Sequence, residues 1–148
     1  MGSLMAVSSP LIERMAKLGS ELGSREAAHR DAITEAWRRA GTLRLEIEAA
    51  LGAFAKAAAH AGASQLAVQL GDVRTDDKHL RSVQFDMARG RSRAVVTVKS
   101  RGEITLVGPF HAGKAEGPCK SFPYAASEEL HAALGDFLEK FLTEAANP

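Results

Sequence analysis

Apolar and polar positions follow two rhythms along this chain, a helical one at both ends and an alternating one between them. Leu11, Met15, Leu18 and Leu22 step by four, three and four, which sets them on one face of a helix. Ser9 is a favoured helix cap, and Pro10 suits a first helical turn, where no amide donor is needed. Gly19-Ser20 and Gly23-Ser24 follow. Glycine costs about 1 kcal/mol inside a helix, so a short helix over 10–22 is expected, with a new start near Ser24.

The next helix is expected over 25–61. Ile33, Ala36, Ala40, Leu43, Ile47, Leu51, Phe54 and Ala58 keep a three-four spacing, and Arg30, Arg38, Arg39, Glu46, Glu48 and Lys56 take the other side. Gly62 is a natural stop. Gly41-Thr42 offers the alternative of a stop and a new cap, giving a hairpin; the unbroken phase of the stripe favours a continuous helix. Such a helix is about 55 Å long at 1.5 Å per residue. A compact domain of this size spans only about 30–40 Å. The helix must therefore overhang, bend or pack on a second copy.

Between residues 64 and 122 the period falls to two. Leu66, Val68 and Leu70 alternate with polar or small residues, as do Val83, Phe85 and Met87. The same holds for Ala94, Val96 and Val98, and for Ile104 and Leu106. One apolar face at period two means half-buried antiparallel strands. Turn residues at 75–77, 89–91 and 100–102 make short connections, hence a meander of sequential neighbours. The stretch from Gly108 to Pro123 reads mostly as loop, with a short edge strand near Lys120–Phe122. Ser127 is positioned to cap a last helix, 127–144, with Glu128 and Glu129 in its first turn. Leu130, Leu134, Phe137, Leu138, Phe141 and Leu142 give it a wide apolar face to lay on the sheet. The expected fold is a single α+β domain over 1–148: a long N-terminal helical segment, a four- to five-stranded antiparallel meander, and a C-terminal helix packed on the sheet.

Composition sharpens this picture. Of 148 residues, 45% are hydrophobic, but 27 are alanine, and 13 of these lie between Ala27 and Ala61. The bulky residues concentrate in the sheet and last helix, leaving an alanine-rich helical face that a second helix would complete. No apolar run reaches 18 residues, so no membrane span is expected. The N-terminus shows no basic-then-apolar signal pattern, and Glu13 and Glu21 beside Arg14 and Lys17 argue against a transit peptide. One cysteine, Cys119, makes no internal disulfide, which suits a reducing, cytoplasmic setting.

Net charge is +1, but it is segregated. Arg89, Arg91 and Arg93 gather at one turn of the meander, and Lys99 and Arg101 at the next, which falls at the opposite end. These residues, with Lys114 and Lys120, are the candidate anion-binding set. Gly108-Pro109-Phe110-His111-Ala112-Gly113-Lys114 matches the first seven positions of a phosphate-binding loop. Ala115 stands where Ser or Thr should hold magnesium, Gly117-Pro118 blocks the required helix, and the strands read antiparallel. The stretch is therefore read as a glycine-rich turn.

Cys119 with His111 or His79 as base is the candidate nucleophilic site, although no signature surrounds it. Asp72, Asp76, Asp77 and His79 read as a polar turn rather than a metal site. No paired-histidine motif occurs, so neither metal nor cofactor is expected. Nucleic-acid binding would need aromatic platforms beside the basic turns, and the sheet block offers only Phe85, Phe110 and Phe122. The leading expectation is a non-enzymatic, self-associating module, dimeric through Ala36, Ala40, Leu43, Ile47, Leu51, Phe54 and Ala58. The alternatives are a nucleic-acid or anionic-ligand binder using the basic turns, and a small enzyme near His79, His111 and Cys119.

Overall fold

A computed structural model describes residues 2–76, 81–114 and 117–147. The fold is α+β. The elements are α1 (Gly2–His60), a 3-10 turn (Ser64–Leu66), β1 (Gln69–Leu70), β2 (Arg74–Thr75), β3 (Ser82–Arg89), β4 (Ser92–Lys99), β5 (Glu103–His111), β6 (Cys119–Pro123) and α2 (Ser127–Ala145). The chain divides into two units, residues 1–32 and 33–148.

The first unit is helix. The expected break at Gly19–Ser24 does not occur: α1 runs without interruption, and Pro10 lies inside it. Once a helix is nucleated, each further residue adds a hydrogen bond, and two glycines among Leu, Glu, Ala and Arg do not reverse that gain. The hairpin alternative at Gly41-Thr42 is likewise not adopted. Thr42 Oγ1 instead donates to the Arg38 carbonyl at 3.1 Å, inside the helix.

The second unit holds the core. Its sheet is an antiparallel meander in the order β1-β3-β4-β5-β6, with β2 also paired to β3. β1 and β2 form one interrupted edge: Leu70 faces Met87 and Thr75 faces Val83. The strand expected around 66–70 shrinks to two residues because 64–66 coil into a 3-10 turn. Short, broken edges resist pairing with foreign strands.

Val83, Phe85 and Met87 of β3, Ala94, Val96 and Val98 of β4, and Ile104 and Leu106 of β5 are buried, as their alternation predicts. They form one cluster with Leu130, Leu134, Phe137, Leu138 and Phe141 of α2 and with Ala36, Ala40, Leu43, Ile47 and Leu51 of α1. Each large side chain so buried contributes about 1.5–3 kcal/mol. The other face of the sheet, including Val95, Thr97, Thr105 and Val107, stays half-buried.

Polar ties fix the layers. Arg44 donates from α1 to the Gly71 carbonyl at 2.8 Å and to that of Leu70 at 3.3 Å. Glu46 accepts from His131 Nε2 of α2 at 2.7 Å. Ser127 is the first residue of α2 rather than its cap, and Ala126 before it supplies no side-chain bond. Glu128 and Glu129 still occupy the favourable first turn.

Candidate functional site

The expected dimer stripe is used up inside the chain. Ala36, Ala40, Leu43, Ile47 and Leu51 are at most 7% exposed against the sheet and α2, while Phe54 and Ala58 are half-buried. From Ala36 to Leu51 the seam is covered by its own chain and offers no surface to a symmetry mate. The sequence pattern identified an apolar helix face correctly but could not say what covers it.

The uncovered face lies earlier on α1. Leu11, Met15, Leu18 and Leu22 are 62%, 52%, 45% and 44% exposed, and Ile12 beside them is 58% exposed. They occupy one side of the helix over three turns. Soluble monomers seldom leave large apolar side chains contiguous on a surface. On the same helix Ser9 Oγ donates to Glu13 at 3.3 Å. Trp37 and Leu45, further along α1, are also exposed.

The basic turns are drawn apart and partly committed. Arg89 donates to the Gln65 carbonyl at 2.9 Å and to that of Ala145, closing the last turn of α2. Arg93 donates to the carbonyls of Gly90 and Ser92 at 2.6 and 2.9 Å. At the opposite end Lys99 and Arg101 both meet Glu103, at 3.1 and 3.2 Å. Lys99 first, then Arg101, holds the Glu103 carboxyl below its ordinary range. Arg81, Lys99 and Arg101 line an open groove of about 340 Å³ with Ser82, Thr97 and Ser100. Arg91, Lys114 and Lys120 are exposed on separate elements.

The phosphate-loop likeness dissolves. Gly108 to His111 belong to β5: Phe110 pairs with Arg93 and His111 with Ser92, the Gly108 amide donates to the Pro118 carbonyl at 2.7 Å, and Pro109 has no amide hydrogen, so the stretch is strand and no anion cradle. Gly108 has a φ of +114°, and a Cβ there would stand 3.0 Å from the Arg93 carbonyl oxygen. That close approach, beside the register shift between Arg93 and Val95, accounts for the glycine.

Cys119 is exposed on the edge strand β6 and lines a cleft of about 160 Å³ with Lys120, Asp136, Phe137 and Lys140. The cleft is below the usual 300–1,000 Å³ of small-molecule sites. His111 does not line it, and His79 and Asp77 lie outside the described residues. Asp72 meets Arg44 at 3.6 Å, and Asp76 accepts from Ser82 at 3.3 Å. Among the described residues no three ligand-type side chains gather around a metal position, and no helix is long and apolar enough to cross a membrane.

No protein-family model matches this chain, and neither a curated protein nor a solved structure matches it.

Proposed function

We propose that this chain is a non-enzymatic, self-associating interaction module, and that the N-terminal part of α1 is the element that associates. The exposed seam of Leu11, Met15, Leu18 and Leu22 carries this reading. An isolated helix is marginal in water, and most helical stability comes from covering an amphipathic face. A second helix laid on this seam supplies that cover. The expected dimer is kept, but its contact moves from the 36–58 stripe to residues 11–22. A lone exposed thiol suits a reducing, cytoplasmic setting.

Light scattering on the intact protein at micromolar concentration tests the reading. The wild type is expected at twice the mass of one chain, and Leu18→Glu at one chain's mass. A wild-type protein at one chain's mass contradicts it.

A second reading rests on the groove that gathers Arg81, Lys99 and Arg101, an anion site at one end of the sheet. Retention on heparin that falls with salt is its expected mark; no retention at low salt removes it.

A further inference from the structure

We infer that the seam on α1 takes a second copy of this chain as an antiparallel helix, with Leu11 against Leu22 of the partner subunit and Met15 against Leu18 of the partner subunit. This rests on the self-association proposed above and assigns its direction and register.

Leu11, Met15, Leu18 and Leu22 fill successive seam positions of a two-helix coil, and all four are exposed. Arg25 and His29 take the next seam positions and end it. The seam is therefore short, so its flanks decide how two copies meet. Arg14 and Glu21 each precede a seam residue, Met15 and Leu22. Ile12, Gly19 and Glu26 each follow one.

In a parallel pair, residues of the first flank meet those of the second. Glu21 then lies beside Glu26 of the partner subunit, a like-charge contact formed twice by symmetry, and Arg14 lies beside Gly19 of the partner subunit with nothing to pair. In an antiparallel pair each flank meets its own kind. Arg14 then lies beside Glu21 of the partner subunit, an opposite-charge contact formed twice. Ile12 lies over Gly19 of the partner subunit, so the branched side chain covers bare helix backbone. Among the described residues, nothing beyond the surrounding turn of α1 comes within 4 Å of a Cβ at Gly19, so that space is open to a partner. Charge at flanking positions sets the orientation of helix pairs more than it sets their affinity. Every flank contact here favours the antiparallel choice.

Cross-linking of the full chain reads the direction. In a Cys119→Ser background, Leu11→Cys and Leu22→Cys are prepared separately and oxidised in a glutathione redox buffer, alone and as an equal mixture. Disulfide formation needs Cα atoms within about 7 Å. The expected result is a covalent dimer in the mixture and at most a trace in either variant alone. Cross-linking of each variant with itself shows a parallel pair and overturns the antiparallel assignment, leaving self-association standing. No cross-link in any sample, with a wild-type protein of double mass, overturns the register alone. No cross-link with a wild-type protein of single mass overturns both.

Discussion

Gly108 is the clearest single-residue constraint in the sheet. Its φ of +114° excludes ordinary side chains, and a Cβ would also stand 3.1 Å from Ala94 Cα. Gly108→Ala is expected to cost about 1–3 kcal/mol, read from the urea midpoint. Gly41 is the opposite case, a helical glycine with nothing within 4 Å of a Cβ. Gly41→Ala should therefore stabilise the protein by about 0.5–1 kcal/mol; a loss would show that α1 bends there. His131 donates to the Ser127 carbonyl and to Glu46, both at 2.7 Å, and these bonds raise its pKa above the ordinary imidazole value. Its contribution to stability is fully present below the unfolded value of about 6.5 and is lost as pH rises through the higher native value. The pair is half-exposed, so the effect is at most about 1 kcal/mol. The stability advantage of the wild type over His131→Gln should shrink as pH rises from the unfolded value of about 6.5 through the higher native value. A difference that does not change with pH would show that the charge plays no part. None of these three roles stands in the sequence, since φ, local space and the Glu46 contact all depend on the packed fold.

At the scale of elements, regular rhythm was readable and its interruptions were not. The alternation of β3, β4 and β5 and the wide face of α2 are buried as their periods predict. Turn and cap signals misled where one local preference met a longer element. Gly19 and Gly23 stay in α1, Ser9 and Pro10 do not start it, and Ser127 lies inside α2. β2 had no readable period because it pairs only through Arg74 and Thr75. The two stretches of α1 carry similar spacing but different surroundings, and mutation separates them. Ile47, fully buried, is expected to cost about 2–5 kcal/mol as Ile47→Ala in a denaturant titration. Met15→Ala, on the exposed seam, is expected to leave the denaturation midpoint of the sheet signal within about 0.5 kcal/mol at low concentration. Equal losses would mean that residues 11–22 share the core.

At the scale of the whole molecule, the alanine-rich stripe suggested a missing partner, and the sheet and α2 supply it. Ala36 and Ala40 are small where α1 meets the rest of the core, so their low volume reflects close packing within one chain. Sequence periodicity reports that a helix face is apolar; only the fold says whether its cover comes from the same chain. The candidate anion set was scattered by the same physics, since alternate turns of a meander fall at opposite ends of the sheet. The seam of Leu11, Met15, Leu18 and Leu22 stays uncovered. Amide hydrogen exchange of the intact protein at two concentrations, well below and well above the association range, tests that seam most directly. Protection of residues 11–22 should rise with concentration while that of β3 and β4 stays constant, because only the helix gains a partner. Exchange over residues 11–22 that is the same at both concentrations would contradict the account.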